Sequence, residues 1–185
     1  MNRRALAALA VLLGLLAAAF AATTPAGGPD NESGKHIAMQ DDCDPKDPNW
    51  AMVGGCAQTK GDVSLAEFAG ENDSPLSAAV IGHQGWRNAP SYLKINAGDS
   101  IQVKNEGGRN HTFTEVAAFG GGIAPNPALN EGLILAPECP ASLTIAPGST
   151  ATVSALALGN HRFQCCFHPW MRALVKVKAH GHTGG

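Results

Sequence analysis

The sequence predicts an all-β sandwich, on three observations. From about Ala78 onward, short segments alternate apolar and polar residues, the period of a half-buried strand. Clusters of Gly, Pro and Asn interrupt them at short intervals, as turns between strands require. No sustained helical period runs through the same region. In order, the candidate strands are Ala79–Ile81, Tyr92–Ile95, Ser100–Lys104, Thr112–Val116, Ser142–Ile145, Thr150–Ser154, Gly159–Cys165 and Leu174–Lys178. Ala97-Gly98-Asp99 marks one turn and Ala146-Pro147-Gly148-Ser149 another.

The residues before this region are of a different kind. Arg3 and Arg4 precede an apolar run, Ala5 to Phe20, that ends in the small-x-small sequence Ala19-Phe20-Ala21. That is the form of a signal peptide over 1–21, cut after Ala21. The expected destination is periplasmic or extracellular; left uncleaved, the run would tether the protein to a membrane. No later apolar run is long enough to cross one. Residues 22–42 are rich in Thr, Pro, Gly, Asp and Asn and are expected as a disordered tether. Residues 43–77 form an expected N-terminal extension: an irregular loop closed by Cys43 and Cys56 with Trp50 docking it, then one or two short helices. Ser64-Leu65-Ala66-Glu67 has the form of a capping box, and Ser74-Pro75 opens the second candidate helix. The β domain is expected over 78–179, with a long Gly/Pro/Asn-rich loop at 117–140 and a frayed tail at 180–185.

Charge and cysteine count narrow the function. Removing Arg3 and Arg4 leaves eleven Lys and Arg against fifteen Asp and Glu, a net charge of −4. That mildly acidic balance argues against a nucleic-acid partner. Five cysteines remain, an odd number for an exported chain. If one binds metal, the other four can form two disulfides. Cys43–Cys56 and Cys139–Cys166 are the expected pairs, the first because its members share a short segment; spacing alone does not fix the connectivity.

The chemistry lies in Phe163-Gln164-Cys165-Cys166-Phe167-His168-Pro169-Trp170-Met171. Cys165, His168 and Met171 recur at three-residue spacing, and His111 lies upstream at a turn-to-strand junction. Two His, one Cys and a weak axial Met form the ligand set of a mononuclear blue-copper electron-transfer site. One loop between two strands presents three of the ligands, and His111 must come from another strand. Cys165 is the expected metal ligand because it shares the inward face with Phe163, whereas Cys166 points the other way. Two intervening residues also let Cys165 and His168 turn back on one metal, while Cys166 leaves only one.

These residues resemble the cupredoxins, the small blue-copper family that includes plastocyanin, pseudoazurin and amicyanin. The resemblance covers roughly residues 78–178. Gly159-Asn-His-Arg-Phe-Gln-Cys165 is similar to the family's Gly-x-Tyr-x-Tyr-x-Cys strand. Cys165-x-x-His168-Pro169-x-Met171 is similar to the amicyanin-like ligand loop, and Ala97-Gly98-Asp99 through Asn105 to His111 is similar to the strand leading to the first histidine. The resemblance implies a cupredoxin-like antiparallel Greek-key sandwich, electron transfer, and His111, Cys165, His168 and Met171 as copper ligands. The departures are Thr112 where the family often has Asn, Ala173 where Gly is common, and the unusual Cys166. A disulfide close to copper in phytocyanins is a parallel for Cys139–Cys166.

The expected protein is therefore an exported, monomeric single-electron carrier rather than an enzyme, meeting its redox partner weakly and transiently. His168 is expected nearest the surface, with Trp170 either packing beside it or contributing to an apolar docking patch. The alternative is a module that delivers, stores or senses Cu(I), which the same soft ligands would bind. A copper oxidase or reductase needs further histidines, and the seven present form no His-x-His cluster inside the domain. His83 is expected to be packed or at the surface rather than a fifth ligand. His161 is expected in the core, and His36, His180 and His182 in solvent.

Overall fold

The structure is a computed structural model, and it describes residues 35–73, 80–123 and 134–180. The expected signal peptide, residues 22–34 of the expected tether, the helix start at Ser74-Pro75, the middle of the 117–140 loop and residues 181–185 lie outside the described residues.

Two four-stranded sheets enclose one core. In the first, β1 (His36–Gln40) lies between β2 (Arg87–Ala89) and β4 (Ile101–Asn105), and β8 (Thr150–Val153) follows on β4. In the second, the order is β3 (Tyr92–Asn96), β10 (Arg172–Lys178), β9 (Gly159–Gln164) and β6 (Thr114–Glu115). A short ribbon of β5 (His111–Thr112) and β7 (Thr144–Ile145) completes the strands. The inward residues of both sheets, among them Ile37, Leu93, Ile95, Ile101, Val103, Phe163, Val175 and Val177, join in one apolar cluster. Along β3, β4 and most of β10 burial alternates residue by residue, as the sequence pattern predicts.

The sandwich stands, but its sheets are mixed rather than antiparallel throughout. β1 runs parallel to β4, and β10 runs parallel to β3. The tether expected over 22–42 also needs correction at its end, because residues 36–40 are strand β1. Ile37 and Met39 are fully buried, and the strand forms part of the sheet by pairing on both sides. A five-residue strand after a polar stretch carries too little local pattern to be read; it is defined by partners some 65 residues away. β2, with the sequence Arg87-Asn88-Ala89, likewise has no apolar alternation and owes its extended form to β1. Conversely, Val80 and Ile81, the described part of the candidate strand Ala79–Ile81, are in no strand and are more than half exposed.

The boundary expected near residue 78 does not divide the core. Trp50, Val63, Leu65 and Phe68 from the expected extension join the same apolar cluster as the strands. The capping box holds: α1 (Leu65–Glu71) starts at Ser64, whose hydroxyl accepts the Glu67 N–H at 3.1 Å. Leu65 and Phe68 form its buried face. Both expected disulfides are present, Cys43–Cys56 and Cys139–Cys166, leaving Cys165 as the free thiol.

Candidate metal centre

Strand β4 ends at Asn105, and the chain turns through Glu106–Asn110 before β5 begins at His111. Asn105 is fully buried and holds that turn. Its amide donates to the carbonyls of Arg109 (2.7 Å) and Ile145 (2.8 Å), and its carbonyl accepts the Gly107 N–H at 3.0 Å. Gly107 and Gly108 make room on the opposite side. A Cβ on Gly107 would lie 2.0 Å from Asp41 Oδ2, and one on Gly108 would lie 2.8 Å from Cys43 Sγ.

At the other end, β9 delivers Cys165, and the loop to β10 is closed by main-chain bonds. Cys165 N–H donates to the Met171 carbonyl at 3.0 Å, and Met171 N–H donates to the His168 carbonyl at 2.8 Å. Asn88 from β2 adds a side-chain bond to the Met171 carbonyl at 3.0 Å. Thr112 braces the loop from the side of β5: its N–H points at Cys165 Sγ (3.4 Å), and its hydroxyl accepts the Cys166 N–H at 2.7 Å. Cys166 faces away into its disulfide, which anchors the loop to Cys139.

Together these elements bring His111, Cys165 and His168 into one buried cluster. Cys165 Sγ lies 3.7 Å from His111 Nδ1 and 3.6 Å from His168 Nδ1. A metal about 2.3 Å from sulfur and about 2.0 Å from nitrogen, at an angle near 110–120°, separates the two donors by about 3.5–3.7 Å. The donor set therefore fits one soft metal ion. Met171 is fully buried at the end of the same loop.

The electrostatics already favour a ligand. Burial alone would raise the Cys165 pKa, but its contacts with His111 and His168 hold it well below the usual thiol value. Burial would lower His111, yet its bonds to Asp41 and Cys165 push it up to about 9. His168 is lowered, chiefly by burial, which keeps its imidazole neutral. The neighbours of Cys165 thus favour its charged form, the donor that a metal requires.

Sequence reasoning missed Asp41. It is 3% exposed and bonds His111 Nε2 through Oδ2 at 2.8 Å. Burial works to raise its pKa, but His111 and the N–H groups of Arg109 and Gly108 hold it below the usual carboxylate range. The available signal was indirect: a Gly-Gly pair before His111, where the backbone must admit a close neighbour.

His168 is the least buried of the four expected ligands, as expected, at 2% exposure against 0% for His111, Cys165 and Met171, but it too is covered. Phe68 of α1 meets its ring edge-on at 5.9 Å between centroids, Trp170 meets it at 5.4 Å, and Trp86 is 6.4 Å away. Gly82, at φ +59°, lets Trp170 press against the backbone; a Cβ there would lie 2.0 Å from the indole. Trp170 is therefore a packing residue over the site. His161 needs correction too. It is not in the apolar core: its ring bonds Glu115 (2.6 Å) and the Ala157 carbonyl (2.8 Å) on the outer side of β9.

His83 is packed, as expected, against Phe68 and Trp86. Its Nε2 faces Glu71 at 3.7 Å and Glu67 at 4.0 Å, a grouping with the look of a second metal site. The Gly85 N–H, however, donates to Nδ1 at 3.0 Å. A neutral ring accepting at Nδ1 carries its proton on Nε2, so it offers the glutamates an N–H and not a lone pair.

No protein-family model matches the chain, and the search of curated proteins finds no match. Solved structures with a similar fold include a purple cupredoxin from Nitrosopumilus maritimus, 15% identical over 77% of this chain and 98% of that one, with a TM-score of 0.38. A reduced Cu(I) form of an amicyanin variant is 19% identical over 50% of this chain and 73% of that one, with a TM-score of 0.35. An oxidised amicyanin variant is 17% identical over the same shares, with a TM-score of 0.36.

Proposed function

We propose that this protein is an exported, monomeric blue-copper electron carrier whose ligands are His111, Cys165, His168 and Met171. The observation that carries the reading is the buried cluster of one cysteine sulfur and two imidazole Nδ1 atoms, 3.6 and 3.7 Å from the sulfur. A trigonal Cys-His-His set with a long thioether contact is the blue-copper arrangement. Bound copper would cycle between Cu(II) and Cu(I), taking one electron and passing on one.

The chain's own residues serve that cycle by staying still. Main-chain bonds, Thr112, Asn88 and the Cys139–Cys166 disulfide hold the ligand loop. Phe68, Trp86 and Trp170 keep water from His168. The same cover counts against Cu(I) delivery, which requires a ligand face that opens to a recipient. No proton or bond-making machinery is needed, so the role is carriage and not catalysis. Contact with the redox partner is weak and small, burying less than about 1,200 Å² in all. Among the described residues no helix is long and apolar enough to cross a membrane.

The test is the visible and EPR spectrum of the purified protein with Cu(II), beside Cys165→Ser. The expected result is an intense thiolate-to-copper band with narrow copper hyperfine splitting, lost in the variant. A colourless wild type, or a band that survives the substitution, overturns the reading; tight Cu(I) binding without the band would favour copper handling.

A further inference from the structure

Asp41 is held by donors alone. Its Oδ1 accepts the N–H groups of Gly108 (3.0 Å) and Cys43 (3.4 Å). Its Oδ2 accepts the Arg109 N–H (3.0 Å) and faces His111 Nε2 (2.8 Å). A carboxylate accepts at both oxygens, whereas an amide at this position would turn an NH₂ toward two N–H groups. The pocket therefore selects a charge and not merely a polar group. His111 must be the donor in its bond, since every other partner of Asp41 also donates. With one proton fixed on Nε2, the nitrogen that faces Cys165, and that a metal would take in place of a proton, is Nδ1.

His111 is the one cationic partner that meets this carboxylate directly among the described residues. The Arg109 guanidinium acts on it only through space, being directed to the carbonyls of Val53 and Gly55 and lying over Trp50. No ion pair joins it to Asp41 among the described residues. Asp41 and the Cys165 thiolate thus place two negative charges in a site that excludes water, one on the sulfur and one behind His111. Buried charge of that sign stabilises the more positive oxidation state of a bound metal.

We infer that Asp41 is a positioning residue of the copper site: it fixes His111 with Nδ1 toward the metal and biases the bound copper toward its oxidised form. The inference rests on the copper reading above. The first measurement is the reduction potential of wild type, Asp41→Asn and Glu106→Gln. Glu106 opens the turn that leads to His111, is exposed and pairs with Lys104 at 3.8 Å rather than with His111, so its substitution removes an equal charge without the bond.

The expected result is a rise in potential and a fall in the Cu(II)-to-Cu(I) affinity ratio for Asp41→Asn, with a much smaller change for Glu106→Gln. Equal shifts in the two variants, or none in Asp41→Asn, overturn the inference. The second measurement needs neither variant nor metal. In the metal-free wild-type protein, nitrogen-15 NMR is expected to show a His111 Nε2 proton that is protected from exchange and bonded to a carboxylate. A His111 Nε2 proton exchanging at the solvent rate would overturn the positioning role. A wild type with no blue band sinks the copper reading instead, and leaves the NMR result standing by itself.

Discussion

The ligand loop, Cys165 to Met171, and the N-terminal stretch, residues 35–73 and 80–86, build the same site in different ways. The loop supplies donors from residues close together in sequence, presented by one turn between β9 and β10. Among its described residues, the N-terminal stretch supplies no donor to the metal cluster. It supplies what stands behind and above: Asp41 at His111, and Phe68 and Trp86 over His168. Each region carries one disulfide. The difference teaches that a metal site's identity can be local in sequence while its environment, and so its tuning, is contributed from far away.

The sharpest way to break the comparison is Phe68→Ala. Phe68 is fully buried and contacts Trp50, Trp86, His83, Trp170 and His168. Removing a buried Phe costs about 3–5 kcal/mol, read as a lower denaturation midpoint in urea. The N-terminal stretch should thereby prove to control the loop: His168 becomes open to solvent, and external imidazole alters the copper spectrum. A variant that loses the stability but keeps His168 closed would show the two regions to be independent.

Removing the disulfides one at a time sharpens the comparison. Loop-closure entropy predicts a loss of about 3 kcal/mol for Cys43→Ser with Cys56→Ser, and about 3.5 kcal/mol for Cys139→Ser with Cys166→Ser. The stability costs are nearly alike, but the functional costs are not expected to be. Losing Cys139–Cys166 frees the ligand loop itself and broadens the copper spectrum. Losing Cys43–Cys56 loosens the segment carrying Asp41 and moves the potential more than the line widths. Chemical unfolding and EPR on each double variant separate the two.

Much of the loop was legible in the sequence because its information is local. Three-residue spacing brought out Cys165 and His168, the odd cysteine count left one thiol over, and strand alternation placed Cys165 on the inward face. Ser64 announced α1 in the same way. Asp41 was not legible: nothing distinguishes it from Asp42 beside it, and its partner lies 70 residues away. β1 was hidden for the same reason, and so was the cover over His168, since tertiary packing and not local pattern decides which ring lies on which. The His161 misreading came from expecting an aromatic position to stay inward when the side chain can instead bond a carboxylate across the sheet.

The smallest expected effect lies outside both regions and serves as their control. His161 is raised above its usual pKa; burial opposes this, but the Ala157 carbonyl and Glu115 outweigh it. A raised folded pKa contributes stability that is fully present below about 6.5, the unfolded value, and lost as pH rises through the folded pKa. Glu115→Gln should therefore flatten the stability profile above pH 6.5 while leaving the copper spectrum unchanged. A spectral change would show that β9 transmits strain to Cys165.

The place of β1 in its sheet has a consequence for how the molecule comes into being. β1 emerges first from the ribosome among the described strands, yet it can pair only with β2 and β4, which follow later. The carboxylate just beyond it must then wait for His111, and His111 for Cys165, 54 residues further on. Closing such separations late makes folding slow and metal capture a final step. A partly synthesised chain has neither a finished sheet nor the His111, Cys165 and His168 cluster.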